Sequence, residues 1–146
     1  MKKIIAQNKL ETKKIAQKLA GQLRGGEILA LQGDLGAGKT FLTQQIAKYF
    51  KIKSVVTSPT FVLMKIYNIR IKNKEIRIKY LVHVDCYRLD EPQELFYLGL
   101  EEYLNQPDTL VIIEWADKIK SYLKKFKRVS WIKIKVKQKQ RIFQIK

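Results

Sequence analysis

The sequence predicts a single α/β domain with a mixed, mainly parallel sheet, flanked by helices and with antiparallel strands at its periphery. Short apolar runs typical of buried strands alternate with segments of helical spacing, which is the pattern of such domains. The stretch GDLGAGKT at residues 33–40 matches the phosphate-binding loop G-x-x-x-x-G-K-[ST]. Two late segments alternate apolar with polar residues, as antiparallel strands do. Together these observations indicate a P-loop NTPase fold, with residues 1–146 as one ATPase domain.

The first predicted elements are an edge strand at Ile4 and Ile5 and a helix that extends to about Leu23. Asn8 and Glu11 have the spacing of an N-cap residue and its capping partner, so the helix should begin just after Asn8. Two consecutive glycines then end it.

The P-loop lies between a predicted buried strand at 27–32 and a predicted helix at 40–50. This context allows the backbone N–H groups of the loop and the positive end of the helix to face an anion. We expect Lys39 to reach the outer phosphates of a nucleotide and the Thr40 hydroxyl to ligate Mg²⁺.

The rest of the chain continues the alternation of strands and helices. The predicted elements are a strand at 61–67, a β-hairpin at 69–78, a strand at 80–85, one or two short helices at 91–104 broken near Gly99, a strand at 109–114, a helix at 117–126, and a closing antiparallel pair at 129–136 and 141–145.

Two of the predicted strands end in a carboxylate, at Asp85 and at Glu114. Nucleotide hydrolysis needs a metal-binding carboxylate opposite the P-loop, and an apolar strand that ends in Asp or Glu is its usual carrier. Both acids would lie at the carboxyl ends of their strands, where open α/β sheets bind ligands. Either acid is a candidate for the residue that positions the attacking water.

Four further residues lie close to these motifs. Thr60, in the loop at 57–60, is either a sensor of the γ-phosphate and Mg²⁺ or an ordinary turn residue. Trp115 packs either against the nucleotide base or in the core. We expect His83 to be a buried structural histidine and Cys86 to be an unreactive thiol. Because the guanine-reading pattern N-K-x-D does not occur, adenine is the expected base.

The net charge of +17 has two interpretations. It indicates an anionic partner such as RNA or DNA, or it reflects coding bias, because the lysines accompany many isoleucines and asparagines. A single cysteine excludes an internal disulfide, and no apolar run approaches the ~20 residues of a membrane span. With no apolar segment long enough for a signal peptide, we expect a cytoplasmic protein without a membrane partner.

Five motifs occur in an order that resembles the TsaE family, the ATPase subunit of the bacterial machinery for tRNA threonylcarbamoyladenosine synthesis. They are GDLGAGKT at 33–40, SPTF at 58–61, HVDCYRL at 83–89, LGLEEY at 98–103 and EW at 114–115. The resemblance covers about residues 12–117. It departs from the family pattern at Val62 and at Gln140-Arg141, so contacts of the C-terminal segment cannot be transferred.

The resemblance implies an ATPase that works with two partner subunits in the transfer of threonylcarbamoyl to the tRNA adenosine beside the anticodon. The subunit would hydrolyse Mg·ATP without itself carrying the threonylcarbamoyl group, and tRNA would be nearby. The resemblance implies that Thr40 and Glu114 ligate Mg²⁺ and that Asp85 serves hydrolysis. Together with the residue pattern, this makes Lys39, Asp85 and Glu114 the expected catalytic residues and Thr40, Glu114 and Asp85 the expected Mg²⁺ ligands. The implied nucleotide-binding residues are Thr12, Gly36, Ala37, Gly38, Lys39, Thr40, Phe41, Thr60 and Trp115.

Two other functions share parts of this pattern. A small-molecule kinase would also have a P-loop, but it needs a lid, and no arginine-rich lid segment occurs in the sequence. A basic RNA-binding module with a regulatory nucleotide site would explain the charge, and it would bind tRNA with a steep dependence on salt.

Overall fold

The computed structural model describes residues 1–59, 61–71 and 77–146, and it contains one seven-stranded sheet with helices on both faces. The strands are β1 (Lys2–Ala6), β2 (Ile28–Gln32), β3 (Met64–Asn68), β4 (Tyr80–Asp85), β5 (Thr109–Glu114), β6 (Val129–Lys137) and β7 (Gln140–Ile145). The helices are α1 (Lys9–Ala20), α2 (Lys39–Tyr49), α3 (Gln93–Tyr97) and α4 (Lys120–Leu123), with 3₁₀ turns at Leu100–Glu102 and Ala116–Ile119.

The strand order is β1-β7-β6-β2-β5-β4-β3. The four central strands, β6, β2, β5 and β4, run parallel to one another. The outer pairs β1–β7, β7–β6 and β4–β3 are antiparallel. The predicted mixed sheet, with a parallel centre and antiparallel strands at its periphery, is therefore confirmed.

The two faces of the central strands β2, β5 and β4 are buried in separate cores. Helices α1 and α2 cover one face, where Leu29 and Leu31 of β2 pack with Ile46 of α2. On the other face, Ile28 of β2 and Leu95 of α3 belong to a second core. Alternation along β2 sends successive side chains to opposite faces, so its four buried residues, 28–31, form a continuous apolar run. None of the described helices is long and apolar enough to cross a membrane.

The first helix is capped as the sequence predicts. The Asn8 side chain accepts a hydrogen bond from the Glu11 N–H at 2.9 Å, and Glu11 in turn accepts one from the Gln7 N–H at 2.7 Å. The first bond satisfies an N–H group in the first turn of the helix, and the second holds the residue that precedes the N-cap. The helix ends at Ala20, three residues earlier than predicted, because Gly21 already acts as its C-cap.

Two later elements differ from their predictions. Strand β3 begins at Met64 rather than at residue 61, because the left-handed backbone of Leu63, with φ of 60°, breaks the extended conformation. The helix predicted at 117–126 is divided into a 3₁₀ turn and the four-residue α4. The tip of the β-hairpin predicted at 69–78 lies outside the described residues, and 69–71 and 77–79 are not in a strand.

Candidate functional site

The P-loop connects β2 to α2, as the motif requires. Gly38 caps the helix in a left-handed conformation, with φ of 103°. Gly33 has φ of 155°, and a Cβ at this position would lie 2.5 Å from the carbonyl oxygen of Ile134 on β6. Any other residue at position 33 would therefore collide with the neighbouring strand, so glycine is needed where the loop leaves the sheet.

The ammonium group of Lys39 lies inside the loop. Its Nζ donates hydrogen bonds to the carbonyl oxygens of Gly33 at 2.6 Å and Asp34 at 2.9 Å, and it lies 3.8 Å from the centre of the Trp115 ring. Burial lowers the pKa of Lys39, while the nearby carboxylates, Glu114 first, oppose that shift. A cation is thus held at the place where a phosphate would enter.

Thr40 and Glu114 meet across the front of the loop. The Thr40 hydroxyl donates a hydrogen bond to Oε2 of Glu114 at 2.9 Å, which joins the start of α2 to the end of β5. Asp85 is the register partner of Glu114 on the neighbouring strand β4. Both carboxylates are buried and lie on the sheet face that α1 and α2 cover. The two strand-end acids therefore lie on the same side of the sheet as the P-loop.

Asp85 is held by its own set of hydrogen bonds. It accepts one from the Ser58 hydroxyl and one from the Tyr87 N–H, the latter at 2.8 Å. Ser58 belongs to the loop segment at 57–59, so this carboxylate links that segment to the end of β4.

His83 occupies the layer beneath the two acids. The side chain is fully buried, as expected, but its Nε2 lies 2.7 Å from Oε1 of Glu114. A carboxylate only accepts, so this contact needs the hydrogen on Nε2. Nδ1 of His83 has no hydrogen-bond partner among the described residues. The histidine thus belongs to the support of the site rather than to the core alone.

A cleft of about 410 Å³ opens over these groups. Its lining residues are Lys9, Leu35, Gly36, Gly38, Lys39, Thr40, Phe41, Ser58, Asp85, Tyr87, Glu114, Trp115 and Arg141. A cleft of this size, with a few convergent polar groups, is typical of small-molecule sites.

The remaining predicted residues differ in their relation to this cleft. Trp115 forms part of its wall, 5.0 Å from the Tyr87 ring, and adopts a left-handed backbone conformation. Thr12 does not line the cleft; its hydroxyl donates to the Asn8 carbonyl oxygen at 3.2 Å. Ala37 is buried within the loop, and Thr60 lies outside the described residues.

The sequence did not assign Arg141 to the site, yet it lines the cleft from β7. A Cβ added to Gly38 would lie 3.1 Å from its Nε, and that buried Nε has no hydrogen-bond partner among the described residues. The position of Arg141 follows from the strand pairing. Its strand β7 pairs with β6, and β6 pairs with β2, which leads into the P-loop.

The donor set suits Mg²⁺ bound together with a nucleotide. Among the described residues no group of three or more His, Cys, Asp or Glu side chains is arranged to hold a metal by itself. Mg²⁺ characteristically takes one or two carboxylates and completes its shell with waters and phosphate oxygens. One hydroxyl and two carboxylates beside a phosphate loop fit that requirement.

The family model described as "Threonylcarbamoyl adenosine biosynthesis protein TsaE" matches residues 6–143. A TsaE protein of Rickettsia prowazekii is 43% identical over 117 residues, covering 80% of this chain and 75% of that protein. A Bacillus subtilis relative of the same name is 39% identical over 116 residues, covering 80% of this chain and 67% of the relative. The match to a Rickettsia felis relative, 43% identical, spans 82% of this chain but only 66% of that protein's length.

A solved structure has the same fold. The crystal structure of Bacillus subtilis YdiB superposes with a TM-score of 0.73 and 30% sequence identity, covering 99% of this chain and 83% of YdiB. The likeness extends over the entire sheet and both helical layers, well beyond the P-loop motif.

Proposed function

The chain belongs to the TsaE family, and we propose that it is an ATPase subunit of the machinery that forms threonylcarbamoyladenosine beside the anticodon of tRNAs. The observation that supports this proposal best is the 2.9 Å hydrogen bond between the Thr40 hydroxyl and the Glu114 carboxylate. It joins the metal-ligand position of the P-loop to a strand-end acid, the pairing on which P-loop hydrolases depend. We further propose that the protein works in the cytoplasm, beside its tRNA substrate.

Each group at the front of the loop has a distinct task in this proposal. The loop N–H groups and Lys39 would hold the triphosphate, and Lys39 would counter the charge that develops on the γ-phosphoryl group. Thr40, Glu114 and Asp85 would hold Mg²⁺, which when bound would neutralise negative charge on the phosphates. Asp85 or Glu114 would accept a hydrogen bond from the attacking water and so orient it.

The loop at 57–60 would report the state of the nucleotide. Asp85 is bonded to Ser58, so a carboxylate beside the γ-phosphate also holds this loop. Loss of the γ-phosphate would relax the contact and alter the surface offered to a partner. We propose that two partner subunits read this surface and that they complete the hydrolytic site, so the isolated subunit would be a slow ATPase.

The proposal is tested by phosphate release from ATP with the reconstituted partner subunits present. Lys39→Ala and Asp85→Ala should each lower the rate at least about tenfold, since each removes a group that acts on the transferred phosphoryl. Lys48→Ala, at an exposed position on the same helix as Lys39, serves as the matched control and should hydrolyse ATP normally.

Two results would contradict the proposal. Hydrolysis at the normal rate in both Lys39→Ala and Asp85→Ala would show that these groups do not form the site. Transfer of the γ-phosphate to a small molecule, in place of release as inorganic phosphate, would instead indicate a kinase.

A further inference from the structure

One half of the sheet is covered on a single face only. Side chains of β1, β7 and β6 alternate between the faces, and Ile4, Phe143 and Ile134 pack into the core under α1 and α2. Their neighbours along the strands point the other way, where Lys133 and Lys135 of β6 are exposed. We refer to this second face of β1, β7 and β6 as the open face.

Strand register arranges polar side chains in a row across the open face. Lys3 of β1 pairs with Gln144 of β7, Gln144 pairs with Lys133 of β6, and Lys133 pairs with Gln32 of β2. Neighbouring strands are about 4.8 Å apart, so the row presents two ammonium groups and two amides within roughly 15 Å. Such a row offers hydrogen-bond donors throughout and no carboxylate.

The row borders a cleft of about 410 Å³. Its lining includes one aromatic side chain, three lysines and two amides: Trp131, Lys120, Lys133, Lys146, Gln32 and Gln144. Trp131 is half-buried and packs against the second core, which fixes one side of the indole and leaves the remainder in the cleft. The cleft therefore combines a supported aromatic ring, three cations and two amides.

Charge is distributed very unevenly along the chain. Residues 118–146 contain twelve Lys or Arg and no Asp or Glu, and residues 1–10 also lack an acid. Nine of the thirteen acids instead lie at 80–117, where there is one Arg and no Lys. A coding bias towards lysine alone does not explain this separation. The open face is formed almost wholly by the acid-free segments, so its cations are not neutralised locally.

We propose that the open face is an RNA-binding surface, with the cleft at Trp131 holding an unstacked base and its lysines holding the flanking phosphates. The identification of the RNA as tRNA rests on the proposed function, whereas the binding of RNA does not. Single-stranded RNA is characteristically held by basic grooves in which bases stack on aromatic side chains. The amides of Gln32 and Gln144 can both donate to and accept from a base edge.

The composition of the open face favours RNA over an anionic membrane. Membrane-surface segments combine basic residues with a continuous apolar face that enters the lipid. Here, apart from Trp131, the apolar residues outside both cores are Met1 at the cleft and the cross-strand pair of Ile5 and Ile142. The row that contains Lys3 and Gln144 separates Met1 from that pair. An aromatic ring inside a polar cleft is suited to a base, which has a π-face and hydrogen-bonding edges.

Binding of the full-length chain to an unmodified tRNA transcript, measured by fluorescence anisotropy at about 0.15 M salt, tests the proposal. The double variant Lys133→Glu/Lys135→Glu should weaken binding at least tenfold and reduce the slope of log K against log salt by roughly 1.5, since each lysine that contacts a phosphate contributes about 0.7–0.9. Lys14→Glu/Lys18→Glu, the same charge change on exposed positions of α1 on the opposite face, should stay within about threefold of the parent.

A second measurement addresses the cleft directly. In a Trp115→Phe background Trp131 is the remaining tryptophan, and its fluorescence should be quenched by a short single-stranded oligoribonucleotide. The proposal is overturned if the parent binds neither tRNA nor the oligoribonucleotide, if both double variants weaken binding equally, or if anionic vesicles rather than RNA produce the response. ATP hydrolysis by Lys133→Glu/Lys135→Glu with partners present separates the two proposals, because that rate depends on the P-loop site and not on the open face.

Discussion

Nε2 of His83 lies 2.7 Å from Oε1 of Glu114, and Oε2 of the same carboxylate accepts the Thr40 hydroxyl at 2.9 Å. Both side chains are at most 2% exposed, so no solvent competes for these contacts. The histidine fixes the rotation of the Glu114 carboxylate, which would be a Mg²⁺ ligand in the proposed site. Residues that support a metal ligand in this way typically change metal affinity by 10–100-fold when they are removed.

Replacement of His83 should therefore act through the metal. We expect His83→Leu to raise the Mg²⁺ concentration needed for half-maximal ATP binding by about tenfold or more, because Glu114 loses the donor that orients it. His83→Gln should restore much of the affinity, since its amide can donate from a similar position. A magnesium titration of nucleotide binding measures both. A loss of thermal stability with unchanged magnesium dependence would show that His83 serves packing alone.

Nucleotide binding should weaken at alkaline pH because of Lys39. Burial lowers the pKa of this lysine from its ordinary value of 10.5, so it loses its proton at a lower pH than exposed lysines do. Without nucleotide, Lys39 therefore binds its proton more tightly in the unfolded chain than in the folded protein. Because the unfolded state holds more protons, the contribution of Lys39 to the free energy of unfolding rises with pH. Phosphate binding has the opposite pH dependence and weakens as the pH rises, because it needs the charged ammonium group of Lys39.

We therefore expect ATP affinity to fall as the pH rises towards 10.5, before the exposed lysines titrate. Calorimetric titration across that range measures the fall. Lys39→Ala is the control, and its weaker affinity should vary little with pH. A parallel decline in the parent and in Lys39→Ala would assign the effect to some other group.

Arg141 should contribute to nucleotide affinity. Its buried Nε has no partner among the described residues and lies beside Gly38 at the start of α2, so a bound phosphate or base would supply the missing acceptor. A hydrogen bond to a charged group is worth about 1.5–3 kcal/mol, so Arg141→Ala should weaken ATP binding roughly 10–100-fold. Lys139→Ala, exposed in the same hairpin, should bind ATP normally. Equal affinities in the two variants would exclude Arg141 from the site.

The parts of this molecule that could be predicted from sequence are those with local signals. The P-loop is contiguous, and Asn8 and Glu11 of the capping pair are three positions apart. Strands β4 and β5 are short apolar runs that end in an acid, and both have the predicted bounds. Because parallel strands present their carboxyl ends at one sheet edge, the meeting of Asp85 and Glu114 also followed from these local patterns.

The unpredicted contacts depend on register and strand order, which are properties of the folded sheet. His83 reaches Glu114 because β4 and β5 align so that the acids are level and the histidine lies one layer below them. Arg141 reaches the P-loop only because β6 lies beside β2 and brings β7 with it. Likewise, the left-handed backbone at Leu63 shortens β3 although residues 61–63 are apolar enough to extend it.

Cys86 should be unreactive in the folded protein. The thiol is fully buried in the second core, directly after β4, and its N–H is bonded to the Glu114 carbonyl oxygen at 3.0 Å. Burial, reinforced by the adjacent Asp85, raises the pKa of Cys86 to about 12, so almost no thiolate is present at neutral pH. Since the thiolate is the reactive form, both its scarcity and its enclosure protect it.

A thiol-reactive chromogenic reagent at about pH 8 should therefore label the native chain only as fast as it opens, and should label one thiol per chain immediately in denaturant. Mg·ATP should slow native labelling further, because a ligand that binds the folded state lowers the population of open forms by mass action. The Lys39→Ala variant is the control for this second effect, and its labelling rate should not respond to nucleotide. Immediate labelling of the native protein would show that the end of β4 is accessible, and the fixed placement of Asp85 beside Cys86 would then be wrong.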